Sequence, residues 1–342
     1  GFGARALVTD KFADIAAKVP VEGNKSPDEW REIADRIKKD DSVSAEDLAA
    51  VIDDLPAPPS DIVHAWCLTE TVEDPIDAAG LDEGLARSFY SLLHLGQQLS
   101  RRRSDTATRL HVVSTNLQEI SGTERLEPVK AALLGPMMLA AREIPDVTAR
   151  SIDLDLSGRP APEQVARQLL GELTASDGHA QVGWRGRKRW RLDYRMVPLE
   201  EPPVPVTPQG TYLVTGGLGA IGLTVAEELA SSAPSTVVLL GRTPAPPREE
   251  WQRLIDDPAT DPGRRRSIER LLALEEQGCT VEVFACDVAD VAALAGVVEE
   301  VHRRHGAIRG VFHCAGVAGG AMMAVRSDED AAGVLAPKVH GT

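Results

Sequence analysis

Four glycines within seven residues carry the clearest chemical signal in this sequence. Gly216, Gly217, Gly219 and Gly222 follow a short apolar strand and precede apolar residues at helical spacing, within residues 211–230. Glycines permit the positive φ of a tight turn and let the backbone approach a pyrophosphate closely, and the following helix N-terminus offers free N–H groups. Because the G-x-G-x-x-G pattern lies between a strand and a helix, it predicts a dinucleotide site.

Further candidate residues stand at the carboxyl ends of three later predicted strands. Arg242 follows strand 236–240, where an acidic residue would favour NAD and an arginine favours the 2′-phosphate of NADPH. An ordinary surface arginine is the alternative. Asp287 ends strand 280–285 and is predicted to bind the adenine amino group, and small residues after strand 308–313 leave room for the cofactor.

The predicted cofactor is therefore NADPH, and no metal site is predicted. The predicted cofactor-binding residues are Thr215, Gly216, Gly217, Leu218, Gly219, Ala220, Ile221, Gly222, Gly241, Arg242, Cys286, Asp287, Val288, His313, Cys314, Ala315 and Gly316.

The elements that must position these residues alternate between strand and helix. In the second half, one helix is predicted to begin at residue 223, a second to end at residue 277 and a third to span residues 291–304. The first half shows the same alternation. Its predicted strands are 4–9, 62–68, 110–115 and 149–154. Its predicted helices are 11–18, 81–101, 129–141 and 162–170, and further helices are predicted to start at Ser26 and Ser44. An antiparallel pair of strands around Trp184 and Trp190 is predicted at its end. Such alternation predicts parallel sheets covered by helices.

The first half is predicted to lack a cofactor site. No glycine turn follows strand 4–9 or strand 62–68, and Glu70, Glu73 and Asp74 follow strand 62–68, where they would repel a phosphate. Four prolines between residues 202 and 208 mark a stiff linker. The predicted fold class is α/β with two Rossmann-like subdomains: a structural one over residues 1–200, a linker over 201–210 and a cofactor-binding one over 211–342.

Composition narrows the class of protein. The 342 residues are 43% apolar and 26% charged, typical of a globular chain, and the net charge of −15 argues against nucleic-acid binding. No apolar stretch is long enough to span a membrane, and the N-terminus lacks the pattern of a signal peptide. Cys67, Cys279, Cys286 and Cys314 show no C-x-x-C spacing. They are predicted to be buried free thiols in a reducing cytoplasm rather than metal ligands or disulfides.

Five short segments, in order, carry a resemblance to a known family. They are Thr215–Gly222, Leu240–Arg242, Cys286–Val288, His313–Val317 and Pro337–Gly341. Together they resemble the ketoreductase domains of type I polyketide synthases, which are short-chain dehydrogenase/reductases. The first half resembles the structural subdomain of the same proteins, a truncated Rossmann fold. The resemblance implies NADPH-dependent reduction of a β-ketoacyl thioester on an acyl carrier protein to a β-hydroxyacyl thioester.

The resemblance also implies a catalytic lysine, serine and tyrosine. The lysine corresponds to Lys338, in the Pro-Lys-Val-x-Gly segment; without that motif it would be interpreted as a surface lysine. Tyr90, Tyr194 and Tyr212 are the tyrosines of the sequence, and none has a lysine four places on. The serine–tyrosine segment would begin where the sequence stops. The expectation is that residues 211–342 form an incomplete catalytic subdomain of a longer polypeptide.

The implied partners are the acyl carrier protein and other domains of the same synthase, in the cytoplasm, without nucleic acid or membrane. A homodimer formed through the parent synthase stays open. One alternative function is a non-catalytic, reductase-derived scaffold that lacks the serine–tyrosine pair. Another is a different short-chain reductase, such as a sugar-nucleotide enzyme, against which the large cofactor-free first half argues.

Overall fold

The computed structural model describes residues 59–69, 77–102, 107–198 and 206–342, positions 48 and 52, and the backbone of residues 5–7. These residues form two compact units, one over Gly1–Met196 with Ala321–Arg326 and one over Val197–Gly320 with Ser327–Thr342. None of the described helices is both long and apolar enough to cross a membrane. Each unit is built on one sheet.

The first unit contains a six-stranded sheet in sequential order. Its strands are β1 Arg5–Leu7, β2 Asp61–Cys67, β3 Thr108–Thr115, β4 Val147–Leu154, β5 Gln181–Arg185 and β6 Lys188–Arg191. Every pairing from β1 to β5 is parallel, and β6 returns antiparallel to β5. The predicted parallel sheet and terminal antiparallel pair are confirmed. Because both faces of its central strands are covered, β2 is buried at every position.

Helices of the first unit lie between these strands. They are α1 Ala78–Leu85, α2 Ser91–Arg101, α3 Leu134–Glu143 and α4 Pro162–Thr174. A π-helical turn, Ala86–Tyr90, joins α1 to α2, so the predicted helix 81–101 is one continuous but irregular helical segment. A 3₁₀ turn, Pro128–Leu133, leads into α3.

The carboxyl edge of the first sheet is held by internal ion pairs. Asp153, at the end of β4, is fully buried and accepts hydrogen bonds from the Leu117 and Gln118 N–H groups, at 3.0 and 3.2 Å. Arg185 Nη2 lies 2.9 Å from Asp153 Oδ2, and Arg185 Nε lies 2.8 Å from Glu124 Oε1. Burial opposes the charge on Arg185, but these two carboxylates outweigh it and raise the pKa of Arg185.

A second pair occupies the neighbouring position of the same edge. Lys130 Nζ donates to the carbonyl and the hydroxyl of Thr115, both at 3.0 Å, and lies 3.0 Å from Glu127 Oε1. Lys130 and Glu127 are only 4% and 7% exposed. Where a nucleotide would approach a Rossmann sheet, the first unit therefore places charges that already have partners.

The second unit contains a four-stranded parallel sheet in the order β10-β7-β8-β9. Its strands are β7 Thr211–Thr215, β8 Thr236–Gly241, β9 Thr280–Ala285 and β10 Ile308–His313. Its helices are α5 Ala220–Ser232, α6 Trp251–Asp256, α7 Pro262–Glu276, α8 Val291–His305 and α9 Asp328–Val339. This confirms the predicted doubly wound α/β arrangement.

Side chains of β7 pack on both faces of the second sheet. Tyr212 and Val214 join an apolar cluster with α5 and α7, while Leu213, pointing the other way, joins a second cluster with Val301 of α8. With β8 on one side and β10 on the other, β7 is an internal strand of the second sheet. Its carboxyl end is fixed by packing in all directions.

Two features of the second half were not foreseen from the sequence. Pro337 is not expected in a helix, because proline lacks an N–H and usually ends one, yet it lies in the last turn of α9. Ala321–Arg326 follows β10 in sequence but belongs to the first unit. There Met323 is 1% exposed and its N–H donates to Glu143 Oε2 at 2.6 Å.

Several predicted features lie outside the described residues. They are helix 11–18, the helix starts at Ser26 and Ser44, the carboxylates Glu70, Glu73 and Asp74, and linker positions 201–205. The four cysteines are free thiols as predicted, and Cys67, Cys279 and Cys286 are buried, whereas Cys314 is partly exposed.

Replacing Arg185 by methionine is expected to destabilise the first unit by about 3–5 kcal/mol, because the buried Asp153 carboxylate would lose its cation. Urea denaturation followed by tryptophan fluorescence measures the change. The matched control is Arg87→Met, whose pair with Glu83 is 41% and 45% exposed and is worth at most about 1 kcal/mol. Equal losses in the two variants would contradict the assignment.

Candidate functional site

The turn after β7, here called the glycine turn (residues 216–222), is too tightly packed for side chains at Gly216, Gly217 and Gly222. A Cβ on Gly217 would lie 2.8 Å from the Val214 carbonyl oxygen and 2.9 Å from the Leu239 Cα. Gly216 has a φ of 64°, and a Cβ on it would lie 2.8 Å from the Ala315 backbone. A Cβ on Gly222 would lie 2.4 Å from the Gly216 carbonyl oxygen and 2.7 Å from the Gly217 Cα. The obstacles are backbone atoms, which cannot rotate away. Strand end, turn and helix are therefore in direct contact.

Some amides of the glycine turn are used to build it. The Gly217 N–H donates to the Leu240 carbonyl and the Gly219 N–H donates to the Gly216 carbonyl, each at 2.9 Å. Helix α5 then begins with no side-chain cap and no acidic residue in its first turn. The first N–H groups of a helix have no partner within it, and here they meet an exposed surface on which Ile221 is 71% exposed. The uncapped first turn suits an anion.

The ends of β8 and β9 supply the next part of the site. The Cys286 N–H donates to the Gly241 carbonyl at 2.9 Å, which joins the two strand ends. Arg242 is exposed and, among the described residues, has no ion-pair partner. Asp287 is also exposed, and one of its carboxylate oxygens accepts from the Ala289 N–H at 3.0 Å. An unpaired cation and an accessible carboxylate thus stand at adjacent strand ends.

Cys286 and Val288 are buried, whereas Asp287 between them is exposed. They are 5% and 7% exposed. Burial raises the pKa of the Cys286 thiol, with the nearby Asp290 and Asp287 charges adding to the shift. A thiol held protonated is a poor nucleophile. Cys286 packs in the apolar cluster that contains Leu213 and Val301.

The end of β10 lies beside the end of β7. His313 pairs with Thr215 in the parallel register, and His313 Nδ1 lies 2.8 Å from Thr215 Oγ1. The Ala315 N–H donates to the same Thr215 oxygen at 3.2 Å. His313 Nε2 lies 2.8 Å from the Pro337 carbonyl oxygen. Both ring nitrogens therefore have partners within the protein.

Lys338 follows Pro337 in the last turn of α9. A Cβ on Gly316 would lie 3.1 Å from Lys338 Cε and 3.3 Å from Lys338 Nζ, so the lysine side chain passes directly over the glycine backbone. The remainder of Lys338 is exposed. Ser327 caps the start of α9 by accepting from the Asp330 N–H at 3.1 Å, while the lysine at its other end interacts favourably with the helix dipole.

The structure thus brings the predicted residues to one edge of the second sheet. Four of these parts follow the ends of strands: the glycine turn, Arg242, Asp287 and the segment after β10. Lys338 lies in the last turn of α9. Sequence analysis missed the Pro337 carbonyl as a partner of His313, because no side-chain pattern marks a backbone oxygen. Among the described residues, no group of three or more His, Cys, Asp or Glu side chains is arranged to hold a metal ion.

The residues present fit a dinucleotide. The α5 N-terminus has no acidic side chain to repel a phosphate, and the exposed Arg242, which has no ion-pair partner among the described residues, can meet a second one. At the corresponding edge of the first sheet, Lys130 and Arg185 are paired with carboxylates.

Comparison with known proteins adds an independent line of observation. Residues 210–342 match the family model of the KR domain. The 5-methyl-1-naphthoate synthase of Streptomyces sahachiroi is 32% identical over 259 residues, which are 76% of this chain and 14% of that protein. A phenolphthiocerol/phthiocerol polyketide synthase of Mycobacterium tuberculosis (strain CDC 1551 / Oshkosh) is 30% identical over 285 residues, 78% of this chain and 14% of its own length. The chain therefore spans a small part of these relatives.

A solved structure of A-type ketoreductases from a modular polyketide synthase is similar in fold, with a TM-score of 0.63 and 26% sequence identity. The similarity covers 87% of this chain and 57% of that one. It extends beyond the segment matched by the family model and includes residues of the first unit.

Replacing Gly222 by alanine is expected to lower the free energy of unfolding by about 1–3 kcal/mol, because the added methyl would overlap backbone atoms of Gly216 and Gly217. Thermal or urea denaturation measures the loss. Gly219→Ala is the matched control. Its Cβ would have a single close neighbour, the Gly216 oxygen at 3.2 Å, and it should cost less than about 1 kcal/mol. A harmless Gly222→Ala change would show that the turn is looser than described.

Proposed function

Since residues 210–342 belong to the KR domain family of polyketide synthases, we propose that the protein is an NADPH-dependent β-ketoacyl reductase. Its substrate is a β-ketoacyl thioester on an acyl carrier protein, and its product is the β-hydroxyacyl thioester. The carrier protein and neighbouring domains of the same synthase are its partners. The cytoplasm is the proposed compartment.

One observation carries this proposal: Lys338 reaches the strand edge that also holds the glycine turn. Its Nζ would lie 3.3 Å from a Cβ on Gly316, three residues after the end of β10. The Thr215 hydroxyl joins the end of β7 to the Ala315 N–H. The glycine turn and the Lys338 ammonium, which lie at the same end of the sheet, support a nucleotide-dependent reduction.

Each residue has a distinct task in this proposal. The first-turn N–H groups of α5 bind the pyrophosphate, Arg242 binds the 2′-phosphate and Asp287 binds the adenine amino group. When bound, NADPH supplies the hydride that reduces the ketone. The ketone oxygen also needs a proton, which the ketoreductases that this chain resembles take from a tyrosine hydroxyl. Lys338 would place a positive charge beside that hydroxyl and so lower its pKa. The small residues after β10 leave the space in which cofactor and substrate meet.

An alternative is a reductase-derived scaffold without catalysis. Tyr212 is not a candidate for the catalytic tyrosine of a reductase. Tyr212 is the tyrosine of the second unit, and a catalytic tyrosine must present its hydroxyl to the ketone. Tyr212 is instead 6% exposed, and its hydroxyl accepts from the Thr207 N–H at 2.8 Å. It is therefore a structural residue.

The two functions separate when binding and turnover are measured on the same protein. Binding of NADPH is followed by its fluorescence, and turnover by loss of nicotinamide absorbance with a β-ketoacyl N-acetylcysteamine thioester, the alcohol being identified by mass spectrometry. Binding together with alcohol formation supports the reductase. Binding without alcohol supports the scaffold. Absence of NADPH binding contradicts the proposed cofactor site in both.

Replacing Arg242 by alanine is expected to weaken NADPH binding by roughly 10- to 100-fold, because a charge-assisted contact with the 2′-phosphate is lost. Affinity for NADH, which lacks that phosphate, should change by less than about twofold by the same reasoning. Titration of both nucleotides by fluorescence measures the ratio. Arg264→Ala, an exposed arginine in α7, is the matched control. Equal losses for the two nucleotides would remove Arg242 from the phosphate site.

A further inference from the structure

His313 links two parts of the second unit that are far apart in sequence. Its Nδ1 lies 2.8 Å from the hydroxyl of Thr215, 98 residues earlier, and its Nε2 lies 2.8 Å from the carbonyl of Pro337, 24 residues later. The side chain is partly buried at the end of β10. The sequence pattern alone suggested a cofactor contact for this residue.

The chemistry of its neighbours fixes the direction of these hydrogen bonds. The Pro337 carbonyl can only accept, so Nε2 must carry the proton that it donates. In the neutral ring, Nδ1 is then the acceptor and takes the Thr215 O–H. The Thr215 oxygen keeps a lone pair for the Ala315 N–H, which donates to it at 3.2 Å. One tautomer of His313 therefore satisfies all three partners.

The Pro337 carbonyl needs a partner from outside its own helix. It belongs to the last turn of α9, where carbonyl groups have no helical donor. The Gly341 N–H, which would reach Pro337 in a regular continuation of the helix, donates to the Ala336 carbonyl at 2.9 Å instead. His313 supplies the hydrogen bond that the helix end lacks.

We propose that His313 is a positioning residue that holds the last turn of α9, and with it Lys338, against the end of β7. Pro337 and Lys338 are consecutive, so a bond to the Pro337 carbonyl sets where the lysine side chain begins. The other ring nitrogen fixes the same histidine to Thr215, from which the glycine turn starts. The rigid imidazole ring of His313 therefore fixes the distance between the backbone that carries Lys338 and the start of the glycine turn. A catalytic group needs such support, because small displacements are costly in rate.

This inference rests on the proposed function only for the consequence at Lys338; the anchoring of α9 can be tested without any nucleotide. Hydrogen exchange of the peptide covering residues 334–342 reports the helix end. In His313→Ala its exchange is expected to speed up by roughly tenfold, because a partly buried carbonyl loses its donor. Exchange of α8 should stay unchanged. An unaltered 334–342 peptide would overturn the proposal.

A second readout concerns the lysine itself. Modification of Lys338 by an amine-reactive reagent, quantified by mass spectrometry with and without NADPH, gives the protection conferred by the nucleotide. With NADPH at a concentration that saturates each variant, as checked by fluorescence titration, His313→Ala should still reduce this protection. His313→Gln, whose amide N–H can still donate to Pro337, should restore part of it. His302→Ala, an exposed histidine of α8, should behave as the unaltered protein.

These outcomes distinguish the two proposals. If the unaltered protein neither binds NADPH nor protects Lys338, the proposed function fails, while faster exchange at 334–342 in His313→Ala still supports the anchor. If NADPH protects Lys338 equally in the unaltered protein and in His313→Ala, the positioning role is wrong and the cofactor site stands. Should His313→Ala not fold, Thr215→Val carries the test with Thr215→Ser as its control, because only serine keeps the hydroxyl that donates to His313. Equal exchange at 334–342 in these two variants would overturn the anchor.

Discussion

The structure of the candidate site depends on the close approach of two parallel strand ends. The register pairs Thr215 of β7 with His313 of β10, and the chain after β10 comes so near that Gly216 has no space for a side chain. In a sheet ordered β10-β7-β8-β9, the connections after β7 and β10 lead away from a common edge, and such a point is where α/β sheets bind ligands. This contact positions the glycine turn, the α5 N-terminus and the segment at Gly316 relative to one another.

The two units solve the same geometric problem in different ways. Both end their parallel strands at an edge rich in polar atoms, which must be satisfied if they are removed from water. In the first unit, Asp153 with Arg185 and Glu127 with Lys130 satisfy one another. In the second, the first turn of α5 has no side-chain cap and Arg242 has no ion-pair partner among the described residues. The first edge is thus stabilised from within, whereas the second keeps its charge available to an anion.

The proposed chemistry combines groups of very different mobility. The glycine turn is fixed by backbone contacts, whereas Lys338 is a long, exposed side chain at a helix end. A flexible ammonium loses entropy whenever it is held in one place. Support of the backbone just before it, through Pro337 and His313, lessens that loss by fixing the point from which the side chain extends. In the proposed function, the rigid glycine turn and the flexible Lys338 side chain then act on the same bound cofactor and substrate.

The sequence by itself determined the local parts of this protein. The strand over residues 280–285 and the order of strand, glycine turn and helix follow from apolar periodicity and glycine placement, which act over neighbouring residues. Tertiary structure decided the rest. Pro337 lies inside α9 despite its missing N–H, and its carbonyl finds a donor outside the helix, in His313. Ala321–Arg326 joins the first unit through the burial of Met323. The role of His313 depends on atoms 98 residues before it and 24 after it, and contacts between such distant residues arise only when the strands have paired.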